Sequence, residues 1–247
     1  MKQNYKMTIM YDGTKYNGWE KQKNTDITIQ GKIEAVLFRM VNESVELIAA
    51  GRTDAGVHAK AMIANAFLTT DMTTDEIKSY LNRYLPEDIA IIDVKEAAER
   101  FHSRYNAVGK TYIYTCYDGD EKPVFDRKYV YILDRKPDIN KMKKAAEYML
   151  GKHDFASFCS NSKIKKSTVR EVDEISIIRN GDYIKFIFHG NGFLYNMVRI
   201  LTGTLLEVGY GKRTPESIAE LFEVKNRSLA GFTAPAQGLC LEKVDYN

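Results

Sequence analysis

Within the stretch IAAGRTDAGVHAKAM, Arg52 and Asp54 stand two residues apart between Gly51 and Gly56, in a break between two apolar runs. A carboxylate there has two kinds of use. It can close a turn on its own backbone, as Asp does beside Gly. It can also stabilise positive charge, attack a carbon or take a proton. Two features pull toward chemistry. The loop joins two apolar segments, which puts Asp54 at a sheet edge near the core. It also holds more glycine than a plain connection needs, so something large approaches its backbone closely.

A second ionic group is Arg199 in FLYNMVR, on an expected buried helix. An unpaired arginine there would be very costly. Either it ends an apolar face and snorkels to solvent, or it meets an acidic partner, for which Asp54 is the candidate. Tyr112 and Tyr114 in GKTYIY share one strand face by period-two alternation. His58, just after the loop, reads as a structural histidine. Metal and nucleotide signatures are lacking: the sequence has no H-E-x-x-H, no paired C-x-x-C and no G-x-x-x-x-G-K-[ST]. HGNGF is glycine-rich but lacks the rest of a phosphate fingerprint.

These groups need elements to position them. YKMTIMYDG reads as a strand and turn, and apolar residues from Ile29 to Val41 follow helical spacing. VELIAA and HAKAMIANAFLTT read as strands flanking the loop. Thr73 with Glu76 forms a capping-box signal for a helix through Tyr84, stopped before Pro86. DIAIIDVKEA and GKTYIYTCYDGD are further strands. A helix is expected from about Asn140, as N-cap, to Leu150, with Gly151 as its stop. Two β-rich runs flank Asn180-Gly181, a hairpin signal. FLYNMVRILTGTLLEVG reads as a buried helix, Thr214-Pro215 opens another through Val224, and GLCLEKVDY closes the chain as a strand. The pattern predicts an α+β fold with a mixed, mostly antiparallel sheet and helices on one side. The two halves echo each other loosely, and the join falls between Glu96 and Lys110, giving halves of 1–103 and 104–247.

The composition is that of a globular protein: 247 residues, 44% hydrophobic and 28% charged. Net charge is only +3, but basic residues cluster at Asp134–Lys144, Lys163–Arg170 and Arg100–Lys110. Clustering matters more than the sum for a phosphate-bearing partner; the alternative is a set of solvated faces. Three cysteines, Cys116, Cys159 and Cys240, form no framework and fit a reducing compartment. Cys116 and Cys240 read as core fillers. No secretory signal or membrane span is legible, so the cytoplasm is the expected location.

GRTDAGVHA closely resembles the active-site motif of the TruA family of tRNA pseudouridine synthases. YDGTKYNGW, TIQGKIEAVL, LPEDIAI, FHSRYNAVGKTYIY, HDFASF, GNGFLYNMVRILTG and APAQGLCL follow in that family's order, over essentially the whole chain. The resemblance implies isomerisation of uridine to pseudouridine at positions 38, 39 and 40 of the tRNA anticodon stem-loop. It implies a homodimer, no cofactor and no metal. The implied fold has two pseudo-symmetric halves around a central basic cleft. Asp54 corresponds to the catalytic aspartate, Arg199 to the arginine paired with it, and Tyr112 to the active-site tyrosine. Arg52 corresponds to a residue that fills the gap or holds the phosphate when the base leaves its stack. Lys15, Lys21, Arg104, Lys110 and the Lys163–Lys166 cluster are expected to grip the RNA, each with a solvated lysine or arginine as the plain alternative. Tyr16 and Trp19 either stack on bases or pack under the first helix; for Trp19, packing is expected.

The family usually has glutamine where this chain has Glu20, and often arginine where it has Cys159. Both positions are expected in RNA-facing loops. They leave the catalytic set intact but allow a paralogue with another RNA target. Two other classes compete: a nucleoside N-glycosylase, which would release free base, and a non-catalytic RNA-binding module, which would tolerate Asp54→Asn.

Overall fold

The computed structural model describes residues 2–161, 163 and 165–247. Five α-helices and ten strands, mostly antiparallel, make the chain an α+β protein among these residues. It divides into two compact units, the first running through Val108 and regaining Cys240–Asn247, the second spanning Gly109–Leu239.

The first unit holds β1 (Lys2–Tyr11), α1 (Ile29–Val41), β2 (Ile48–Ala49), β3 (His58–Thr69), α2 (Thr74–Tyr84), β4 (Ile89–Glu96) and β10 (Leu239–Tyr246). β1 lies between β3 and β4, antiparallel to both. Its alternate residues Tyr5, Met7, Ile9 and Tyr11 are buried, as period-two alternation demands. β10 pairs parallel with the start of β3, Cys240 opposite His58. α1 opens on Thr28, whose side chain accepts from Gly31 N–H, and α2 opens on a complete Thr73/Glu76 capping box. Each such cap stabilises its helix by about 1 kcal/mol.

The second unit holds β5 (Ala107–Tyr117), β6 (Tyr131–Ile132), α3 (Ile139–Glu147), β7 (Gly151–Asp154), β8 (Val169–Asn180), β9 (Tyr183–Gly190), α4 (Met197–Gly209) and α5 (Ser217–Val224). Strands run in the order β5-β9-β8-β7, with β6 parallel to β5. α3 is capped two residues earlier than expected, by Asp138 in place of Asn140, its carboxylate accepting from Lys141 N–H at 3.1 Å. The β8–β9 turn is also shifted: Asn180 pairs with Tyr183, and Gly181 carries the left-handed φ of +58°. Gly at the first central position is the type II′ arrangement, so Asn180 belongs to the strand. α4 is buried nearly all round, the mark of a core helix. A Cβ on Gly203 would stand 1.9 Å from the Phe232 carbonyl oxygen, so the Phe232 backbone crosses the helix at van der Waals range.

The three cysteines are free, with Cys116 and Cys159 buried. Cys159 is 4% exposed. Its side chain fills core, which corrects the expectation of an RNA-facing position. Among the described residues no helix is long and apolar enough to cross a membrane.

Candidate active site

The loop between β2 and β3 is held by the segment that follows β1. The Thr53 and Tyr11 hydroxyls meet at 2.7 Å, both buried. Trp19 N–H donates to the Thr53 carbonyl at 3.0 Å, and Gly56 N–H to the Tyr16 carbonyl at 3.3 Å. Val57 N–H donates to the Asp54 carbonyl at 3.1 Å, closing a turn with Gly56 at φ +77°. That is a type II turn, which requires a positive φ at its third residue. Gly18, at φ +92°, comes so near that a Cβ would stand 2.7 Å from the Thr53 carbonyl oxygen. A Cβ on Gly13 would stand 2.0 Å from the Val57 carbonyl oxygen. The body that approaches this loop closely is therefore the chain's own N-terminal segment.

This cradle leaves Asp54 half-buried while its neighbour Thr53 is buried and Arg52 is exposed. Arg52 pairs with Glu20 at 3.0 Å. His58 is buried, and its Nδ1 lies 3.1 Å from both Gly13 N–H and the Asp12 carboxylate, so it ties the loop's exit to the end of β1. Trp19 is 2% exposed and packs against Tyr11, ring centroids 5.8 Å apart. Tyr16 is buried too, and its hydroxyl donates to Asp88. Burial, then that carboxylate, pushes the Tyr16 hydroxyl far above the usual phenol range. Both rings pack rather than offer faces to solvent.

The second unit holds Tyr112 and Arg199. Arg199, on α4, donates from Nε to the Ala234 carbonyl at 2.7 Å and from Nη1 to the Asn196 side chain at 2.8 Å. Two fixed acceptors orient its fork, and it does not snorkel. Asn196 adopts φ +61° just before the helix, a conformation that Asn tolerates better than most residues. Tyr112 is 8% exposed and meets Phe193 edge-on, centroids 5.3 Å apart. Tyr114 is fully buried and donates to the Pro235 carbonyl at 2.7 Å. Burial holds its hydroxyl protonated far into base, against the opposing charge of Arg199. Sequence reasoning missed Asn196 and Gly18; the only local hint was Asn or Gly beside an aromatic.

The expected RNA-gripping residues fall in both units. Lys15 lies 3.5 Å from Asp88, and Lys21 lies 3.1 Å from Glu34. Arg104 is exposed on the loop after β4, and Lys110 is half-buried on β5. Lys163, Lys165 and Lys166 are exposed, while Ile164 of that cluster lies outside the described residues.

The first unit thus holds Asp54 on a glycine-cradled loop, and the second holds Arg199 on two fixed acceptors. The family model described as tRNA pseudouridine synthase matches residues 7–106 and 145–247, and the chain belongs to that family. The match includes Arg52, Asp54 and Arg199; Tyr112 and Lys110 fall between its two segments. Relatives named tRNA pseudouridine synthase A include one from Clostridium kluyveri, 47% identical over 243 residues, covering 98% of this chain and 99% of that one. A relative from Clostridium perfringens named tRNA pseudouridine synthase A 2 is 46% identical over the same shares. Among solved structures, a chain of a Cbf5-Nop10-Gar1 complex superposes at a TM-score of 0.37 with 11% identity. That superposition covers 96% of this chain and about half, 48%, of the other.

Proposed function

We propose that this tRNA pseudouridine synthase acts on uridines 38, 39 and 40 of the anticodon stem-loop, with Asp54 as its acting carboxylate. The observation that carries the reading is the cradle: the Thr53 side chain and the backbone of residues 53, 54 and 56 are all bonded in place, inside a stretch that the family model matches. A fixed loop holds its carboxylate ready without reorganisation at the moment of reaction.

In the reaction the C1′–N1 bond breaks and a C1′–C5 bond forms. The C5 proton leaves, N1 gains one, and the mass is unchanged. Breaking the first bond puts positive character on the sugar. Asp54 meets it by charge, as nucleophile, or by taking a sugar proton. A carboxylate shut under a base tends to take up a proton; Arg199, always charged, opposes this as its partner. Tyr112 stacks on the detached uracil and takes the C5 proton. Arg52 holds the place left by the extruded base. Lys15, Lys21, Arg104 and Lys110 bind phosphates. The enzyme works as a cytoplasmic homodimer and needs neither cofactor nor metal.

The test uses unmodified tRNA tritiated at uridine C5. Wild-type protein should release tritium and place pseudouridine at positions 38 to 40 when the product is mapped base by base. Asp54→Asn should abolish release while RNA binding stays within a few-fold. Turnover near the wild-type level in that variant would remove Asp54 from its role. Release of free uracil would point to a glycosylase instead.

A further inference from the structure

The loop of residues 97–106, after β4, is irregular yet bound down from below. Asn4, Asn65 and Ser103 are all buried to within 1% exposure. Asn4 donates to the Ala98 and Phe101 carbonyls at 3.0 and 2.9 Å. Asn65 donates to the Asn4 side chain at 3.0 Å and accepts from Ser103 N–H at 2.8 Å. Tyr246, on β10, donates to the Ser103 carbonyl at 2.7 Å. A buried polar network of this kind fixes one conformation. Fixing a surface loop so firmly is unusual, since loops are ordinarily the mobile part of a fold.

The fixed loop presents an aromatic ring to water. Tyr105 is 79% exposed, against 8% for Tyr112. The His102 ring lies under it, centroids 4.1 Å apart and planes 31° apart. His102 is itself held, because its Nδ1 accepts from the N–H groups of Arg104 and Tyr105 at 3.1 and 3.3 Å. Its own N–H donates to the Asn106 side chain at 2.7 Å. One face of Tyr105 is thus backed by a ring and the ring stands open to solvent. Arg100 and Arg104 are exposed on the same loop, with Glu99.

We propose that Tyr105, backed by His102, is a stacking platform for an unpaired nucleobase of the RNA substrate, with Arg104 beside it on a phosphate. The inference rests on the reading of the chain as a tRNA-modifying enzyme and adds a contact for the RNA. Single-stranded bases are held on aromatic faces that tolerate any base. An open ring with adjacent guanidinium groups suits that partner.

The experiment compares wild type, Tyr105→Ala and Tyr105→Phe with an unmodified tRNA, measuring Kd by filter binding and kcat and KM by tritium release. Melting temperatures should agree, since the side chain is exposed. Tyr105→Ala should raise Kd and KM about five- to hundredfold, the range for losing one base–aromatic stack, with kcat within about twofold. Tyr105→Phe keeps the ring and should stay within about twofold throughout. Affinity unchanged in the alanine variant overturns the platform, and so does equal loss in both variants. Should the wild type bind tRNA without isomerising it, the catalytic reading falls while the Kd comparison still decides the platform. No tRNA binding at all overturns both.

Discussion

Glu20 Oε2 stands 3.0 Å from a terminal nitrogen of Arg52, and both side chains are more than half exposed. An exposed pair of this kind contributes little to stability, so its consequence lies in what the guanidinium is free to do. In the proposed function Arg52 meets RNA, so Glu20 has first to release it, and the carboxylate repels phosphate besides. Glu20→Gln should therefore tighten tRNA binding about two- to fivefold at low salt, with the gain fading toward molar salt. The melting temperature should not move. A salt titration of Kd checks this; equal affinity of the two proteins at low salt would show that the pair exerts no hold on Arg52.

The close approach of Gly18 to Thr53 gives a second prediction. Gly18→Ala meets both a positive φ and a carbonyl oxygen 2.7 Å away. Gly211→Ala meets the same backbone strain, at φ +71°, with no atom within 4 Å. The strain alone costs on the order of 1 kcal/mol, or roughly 2–4 °C in Tm for a chain of this size. Gly18→Ala should lose more than that and lower kcat as the Asp54 loop shifts. Gly211→Ala should keep full turnover. Matching melting and turnover in the two variants would show that the approach does not position the loop.

These cases show what was legible in the residues. The capping box of α2 was readable outright, because cap and helix lie within four residues. The β8–β9 hairpin was readable in kind but off by one, since Asn and Gly can both take the left-handed position and the register decides which does. α3 was expected to open on Asn140, but Asp138 won the cap. The glycine richness of the Asp54 loop was visible, while the approaching body was not, because it is a segment some forty residues away in sequence. Burial of Cys159 was likewise invisible: a single cysteine in a polar stretch has no periodicity to place it. The parallel pairing of β10 with β3 joins residues far apart in the chain and leaves no local trace. The Asn4–Asn65–Ser103 network was missed for the same reason.

Tyr112 and Tyr114 share a strand and a face, and the proposed function gives them different roles. Tyr114→Phe removes the donor to the Pro235 carbonyl, which costs about 1 kcal/mol or more and should lower Tm by a few degrees. Under the proposed role, Tyr112→Phe should cut kcat about a hundredfold or more, as loss of a proton acceptor does, whatever it does to Tm. Thermal melts beside single-turnover tritium release separate the two. The reverse pattern, with Tyr114→Phe inactive but stable, would exchange the assignments.

Acid stability of the second unit should depend on Asp154. Its carboxylate accepts from Ala156 N–H at 3.2 Å, the Thr168 hydroxyl at 2.5 Å and the Lys225 ammonium at 2.9 Å. Partial burial pushes its pKa up, but Thr168, Lys225 and the Ala156 N–H outweigh that and leave it below the ordinary carboxylate value. A carboxyl whose pKa is lower folded than unfolded contributes stability that is complete above the unfolded value, about 3.9. The contribution is lost as pH falls through the folded value. Asp154→Asn cannot titrate, so it should melt below wild type at pH 7, and the gap should close as the pH drops below about 4. Calorimetry across pH 3 to 7 reads this directly. A gap of constant size over that range would assign the loss to packing, and not to the ionised carboxylate or its Lys225 pair.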